Sequence, residues 1–288
     1  MTILITGATG NVGRNVLRLV AAEGEQVRAL TRDPRAEFPA GVQAALGDLA
    51  APDTLDAALR GVDRLFLFPV PQTARDVVDA AKRAGVRRIV VLSSGAVTGG
   101  FDTDFHLPVE QAVQDSGLEW THVRPGEFAM NKLALWGPSI RAEGVVRDPN
   151  PDVAWYPTHE LDIAEVAAAA LLSDGHAGRA YDVNGPDLLT YREQVRAIGD
   201  AIGREIRFEV IGRERARELY LAQGGFAAAN ADFLLGFEDY SGAAQDPAEA
   251  AEFDASAAMP TAEPVTGRAR GFAEWARDHA ADFRPAGW

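Results

Sequence analysis

The chain has 288 residues and a formal charge of −14, with 28 Lys and Arg against 42 Asp and Glu. That balance excludes direct nucleic-acid binding through clustered cations, because phosphates are neutralised by concentrated Lys and Arg. No run of about 18 uncharged apolar residues is present to cross a bilayer, and the absence of cysteine excludes disulfides and a thiol nucleophile.

Met1 leads straight into Ile3-Leu4-Ile5 without a basic segment, so the expectation is a cytoplasmic protein. The first half then alternates short β-branched runs with amphipathic segments, the pattern of βα units around a parallel sheet. Strands are predicted at 2–6, 26–31, 42–46, 64–68, 88–93 and 120–123, with helices at 11–22, 52–59, 73–84 and 108–115. Gly61, Gly85 and Gly117 follow the later helices as left-handed caps would. Beyond Gly126 the regularity breaks, and 137–157 reads as a Pro/Gly-punctuated loop. A helix at 160–172, a strand at 180–183 and a helix at 191–202 follow, and 213–258 reads as mostly helical. Phe272, Trp275 and Phe283 are spaced like a packed helix face. The predicted fold class is α/β, a Rossmann-type doubly wound parallel sheet with a smaller, mostly helical C-terminal substrate lobe. The expected division is 1–130 for the core and 131–288 for the segment that returns to the sheet and covers the substrate.

Gly7-Ala8-Thr9-Gly10-Asn11-Val12-Gly13 lies between a strand and a helix. Glycine permits a tight turn and close backbone approach to a pyrophosphate, and the N–H groups at the helix start attract the anion. Gly7, Thr9, Gly10, Asn11, Val12 and Gly13 are therefore the expected dinucleotide cradle. At the end of the second strand an NAD enzyme offers a carboxylate to the ribose, but here the strand ends in Leu30-Thr31-Arg32. The guanidinium of Arg32 suits a 2′-phosphate, which points to NADP(H) over NAD(H); the alternative is a solvated surface arginine. Asp33 reads as a turn former before Pro34.

The phrase GATGNVGRNV resembles the NmrA-like group of atypical short-chain dehydrogenase/reductases, and so do Val27 to Pro34, Gly47-Asp48-Leu49, Val90 to Ser94 and Leu118 to Gly126. The resemblance implies that Asp48 and Leu49 border the adenine. Ligands bind beyond the carboxyl ends of parallel strands, so Phe68, Pro69, Ser93, Ser94 and Pro125 are expected around the nicotinamide and substrate. Short-chain reductases commonly carry a Tyr-x-x-x-Lys pair; here Asp102 falls on the tyrosine position and His106 on the lysine position, with Glu110 matching a glutamate four residues on. His106 reads either as a ribose or proton-handling group or as a packing residue at a helix start. Asp102, on a loop, reads as a poor proton donor unless buried, and Asp102→Asn as a change of little effect. Ser93 and Ser94 read either as carbonyl-orienting hydroxyls or as turn or cap residues.

His159, Glu160 and Asp162 lack metal-site spacing, so no metal is expected. The leading function is an NADPH-dependent reductase of a quinone or related conjugated carbonyl, for which a tyrosine acid is dispensable. The same resemblance leaves open a non-enzymatic NADP(H)-binding redox sensor and a tailoring reductase or isomerase of secondary metabolism. The expected partner is a small molecule, with neither nucleic acid nor membrane, in a monomer or homodimer.

Overall fold

The computed structural model describes residues 1–246 and 258–285. In chain order the elements begin with β1 (Thr2–Ile5), α1 (Gly13–Ala22), β2 (Gln26–Thr31), β3 (Val42–Leu46), α2 (Asp56–Leu59) and β4 (Arg64–Leu67). They continue with α3 (Ala74–Arg83), β5 (Arg88–Leu92), α4 (Gly95–Thr98), α5 (His106–Asp115), β6 (Glu119–Pro125) and α6 (Met130–Glu143). Then come β7 (Val145–Asp148), β8 (Ala154–Trp155), α7 (Glu160–Leu172), β9 (Arg179–Val183), β10 (Leu189–Thr190), α8 (Tyr191–Ile202) and β11 (Arg207–Val210). The last helices are α9 (Arg213–Gln223), α10 (Gly225–Ala229), α11 (Ala231–Leu234), α12 (Glu263–Thr266) and α13 (Phe272–Asp278).

Two compact units result. The first comprises Met1–Pro125, Glu160–Val183 and Pro260–Arg268; the second comprises Gly126–His159, Asn184–Met259 and Ala269–Trp288.

The first unit holds a seven-stranded sheet in the order β3-β2-β1-β4-β5-β6-β9, every pairing parallel. The predicted Rossmann-type sheet is thus present, and the order reverses between β1 and β4. Its central strands are apolar runs because both faces are covered: Ile3, Ile5, Ile89, Val90 and Val91 have no exposure. One covering helix is α7, whose Ala164, Ala167 and Ala170 are fully buried and leave little bulk between it and α1. Two buried arginines tie the end of α7 to the amino ends of the strands. Arg64 donates to the Leu171 carbonyl, and Arg88 donates to Ala170 and Ser173 at 3.1 and 2.6 Å while pairing with Asp174 and Glu119. These carbonyls are the ones a helix C-terminus leaves without partners. Gly61, Gly85 and Gly117 take φ of +70°, +89° and +76°, as expected of left-handed caps.

The second unit corrects the expected loop at 137–157. Residues up to Glu143 continue α6, with Pro138 inside it, and 145–148 form β7, paired in parallel with β11. Proline should break the helix, because it frees the carbonyl of the residue four positions earlier. The Gln223 side chain donates to that Ala134 carbonyl at 2.7 Å and so repairs the loss. The helical reading of 213–258 holds through α9, α10 and α11 as far as Leu234; positions 247–257 lie outside the described residues. Phe272, Trp275 and Phe283 are buried together, with Trp275 centroids 5.0 and 5.9 Å from the other two rings.

Candidate dinucleotide and proton-transfer site

The glycine turn is shaped by contacts that leave no room for side chains at Gly7 and Gly13. Gly7 has φ +59°, a left-handed conformation, and a Cβ there would stand 3.1 Å from the Phe68 ring. Gly13 is tighter still: a Cβ would sit 2.1 Å from the Gly7 carbonyl oxygen. Gly10 donates its N–H to that same oxygen at 2.9 Å, closing the turn. Thr6 fixes Phe68 beside it, donating its hydroxyl to Phe66 O at 2.9 Å and accepting the Phe68 N–H at 2.7 Å.

Thr9, Gly10 and Asn11 are exposed, whereas Val12 is buried and contributes its backbone. No side chain caps α1 and no acidic residue occupies its first turn, so its N-terminal field is uncompensated by the chain itself. An anionic pyrophosphate fits this turn: its approach is over exposed glycine backbone, and the helix start offers donors.

At the end of β2 the Asp33 carboxylate turns back on its own loop, accepting the Arg35 N–H at 2.9 Å. It behaves as the turn former expected. Arg32 is exposed and makes no hydrogen bond or ion pair among the described residues. Asp48 likewise accepts the N–H of Ala50 at 2.9 Å, and Leu49 is buried against a recess lined by Leu67, Phe68, Val70, Val77 and Val109. Pro69 and Pro125 are both buried at strand ends.

Beyond β5, Ser93 and Ser94 diverge. Ser93 is buried, and its hydroxyl donates to Glu110 Oε1 at 2.5 Å; Ser94 is half-buried and caps α4 by accepting the Ala96 N–H at 3.2 Å. Glu110 has no exposure and also takes two bonds from Arg124, at 2.8 and 2.5 Å. Burial pushes its carboxyl up, but Arg124 and Ser93 outweigh that and hold it below the ordinary value. The glutamate four residues after His106 therefore serves this network.

Asp102, read from the sequence as a loop residue, is buried and held by hydrogen bonds. It is 1% exposed, accepts the backbone N–H groups of Phe105 and His106 at 3.0 Å each, and places Oδ2 2.5 Å from His106 Nδ1. The signal for this pair is the four-residue spacing of Asp102 and His106 where α5 begins. The His106 ring lies 4.8 Å from that of Phe105, edge to face, and the side chains of Phe101 and Phe105 are exposed.

The sequence model of the NAD(P)H-binding family matches residues 7–174. The chain belongs to the NAD(P)H-binding family. This NAD(P)H-binding protein is 42% identical to the (4-alkanoyl-5-oxo-2,5-dihydrofuran-3-yl)methyl phosphate reductase of Streptomyces griseus, over 98% of this chain and 99% of that protein. It is 37% identical to the NAD(P)H azoreductase of Xenophilus azovorans, over 99% and 100%. Quinone oxidoreductase 2 of Escherichia coli is 30% identical over 79% of this chain and 80% of that protein. A crystal structure of the Escherichia coli NADPH-dependent quinone oxidoreductase QOR2 shares the fold, with a TM-score of 0.73 and 24% identity over 96% of this chain and 99% of that one. The NmrA-like and quinone-reductase resemblance read from the sequence is borne out by these matches. Among the described residues no helix is long and apolar enough to cross a membrane.

Proposed function

We propose that this chain is an NADPH-dependent reductase that transfers hydride to a quinone or a related conjugated carbonyl. The observation that carries the reading is the combination, in one unit, of an open glycine turn with a histidine held by a buried carboxylate on the segment after β5. When bound, the nicotinamide supplies the hydride. Gly7, Thr9, Gly10, Asn11 and Gly13 hold the pyrophosphate through the turn, and Arg32 receives the 2′-phosphate.

Phe105 offers exposed aromatic surface next to His106, which favours an acceptor with an apolar body. The named activities of the relatives, on a dihydrofuranone phosphate, an azo compound and a quinone, share an electron-poor π system as acceptor. Such an acceptor takes hydride without a tyrosine acid. The test is NADPH oxidation measured against a panel of quinones, conjugated lactones and azo dyes. Turnover of at least one class is expected; tight NADPH binding without turnover of any acceptor would replace this reading by that of a redox sensor.

A further inference from the structure

His106 presents two chemically different nitrogens. Nδ1 faces a carboxylate that is itself locked in place, because both Asp102 oxygens accept backbone N–H groups at the start of α5. Both Asp102 oxygens are thus placed as acceptors and Oδ2 lies 2.5 Å from Nδ1, so the geometry puts a proton on Nδ1. Nε2 makes no hydrogen bond among the described residues, and the His106 side chain is 16% exposed. Burial of Asp102 in the same place matters, since water does not compete for the carboxylate there.

We propose that Asp102 is a positioning residue: it fixes the proton of His106 on Nδ1, and His106 Nε2 delivers the proton that completes reduction of the acceptor. The inference rests on the reductase reading above. Hydride transfer moves two electrons and one hydrogen from the nicotinamide cofactor to the acceptor and leaves a negative charge on an acceptor oxygen or nitrogen. The N–H bond at Nε2 of the protonated ring then breaks as an O–H or N–H bond forms on the acceptor. The ring is left neutral with its remaining proton on Nδ1, the form the Asp102 carboxylate stabilises, and solvent returns a proton to Nε2. An Asp–His pair used to hold a ring in one tautomer and orientation is an established catalytic arrangement in other folds.

A purely structural Asp102, serving only the start of α5, makes a different prediction. Asp102→Asn keeps a carbonyl oxygen for the backbone N–H groups but turns an amide N–H toward Nδ1, which must then accept. Long-range ¹H–¹⁵N spectra of the cofactor-free protein with the ring neutral are expected to show the Nδ1–H form in the wild type and the Nε2–H form in Asp102→Asn. The variant should lose about tenfold to a hundredfold in kcat, with the KM for NADPH within about twofold. His106→Gln should lose a similar factor, and the double variant should lose no more than either single one. An unchanged tautomer in Asp102→Asn overturns the pairing, and a changed tautomer with unchanged kcat overturns the proton role. Should Asp102→Asn fail to fold, an unchanged kcat in His106→Gln overturns the proposal by itself. Absence of turnover in the wild type overturns the underlying reductase reading, a result distinct from wild-type turnover that Asp102→Asn leaves intact.

Discussion

Arg124 on β6 grips Glu110 on α5 with two nitrogens, at 2.8 and 2.5 Å, and the pair joins a strand of the sheet to the helix that carries His106. Thr98 extends the link, accepting from Arg124 at 3.1 Å and donating to Asp182 on β9 at 2.6 Å. Removing one member of a buried pair leaves the other uncompensated, at a cost of about 3–5 kcal/mol. Because the Arg124 side chain keeps 18% exposure, the expected loss for Glu110→Ala is at the low end, about 3 kcal/mol. Urea unfolding would measure it, and a loss below about 1 kcal/mol would show the pair to be incidental.

A second prediction concerns acid stability. His122 on β6 is fully buried, stacked on Trp120 with centroids 4.4 Å apart, and burial lowers its pKa from 6.5 to about 4. Between these values the unfolded chain binds the proton and the folded chain does not, so stability rises with pH across the interval. The contribution is complete above about pH 6.5 and is lost as pH falls toward 4, an amount on the order of 3 kcal/mol. In His122→Leu this part of the acid sensitivity should vanish. Unfolding free energies at pH 7 and pH 4.5 would show it; an equal acid loss in both proteins would assign the sensitivity to other groups.

The sheet and the glycine turn were legible because they follow from local pattern: apolar runs such as Ile89 to Leu92 are buried on both faces, and Gly7, Gly10 and Gly13 announce a turn by spacing alone. What escaped depends on partners distant in sequence. Pro138 signals a helix end, and only Gln223, 85 positions later, restores the freed Ala134 carbonyl. The strand β11 was missed, since its polar run Arg207–Val210 is stable only through its pairing with β7. Within the site, its place on the lysine position of the family pattern, four residues before Glu110, gave His106 its candidacy, but the burial that makes Asp102 its partner is a property of the folded loop.

The glycines of the turn should separate into two kinds. Gly13→Ala places a methyl group 2.1 Å from a backbone oxygen that cannot move without opening the turn, so the fold itself should lose about 2 kcal/mol or more. A Cβ at Gly10 meets only the Gly7 oxygen, at 3.2 Å, and Gly10 is exposed, so Gly10→Val directs its methyl groups from an exposed position. That variant should keep a near-normal melting temperature while NADPH affinity falls by at least about tenfold, because the side chain occupies the pyrophosphate's approach. Calorimetric titration alongside thermal melts tells the two apart. Normal NADPH affinity in a folded Gly10→Val protein would place the dinucleotide elsewhere.

Arg32 tests the choice of cofactor. Its side chain is exposed and free of ion pairs among the described residues, while the neighbouring Asp33 carboxylate accepts from its own loop at Arg35. The strand end therefore offers a cation, with five N–H donors in a planar fork, where an NAD-selective site offers a carboxylate. A charge-assisted contact to phosphate contributes about 1.5–3 kcal/mol, so Arg32→Ala should weaken NADPH roughly tenfold to a hundredfold. NADH lacks the 2′-phosphate and should lose less than about threefold. Dissociation constants for both cofactors, measured at one salt concentration, provide the comparison, since screening weakens every phosphate contact. Equal losses for NADPH and NADH would show that Arg32 supports the β2 turn without reading the phosphate, and the selectivity would then have to come from another cation on this edge of the sheet.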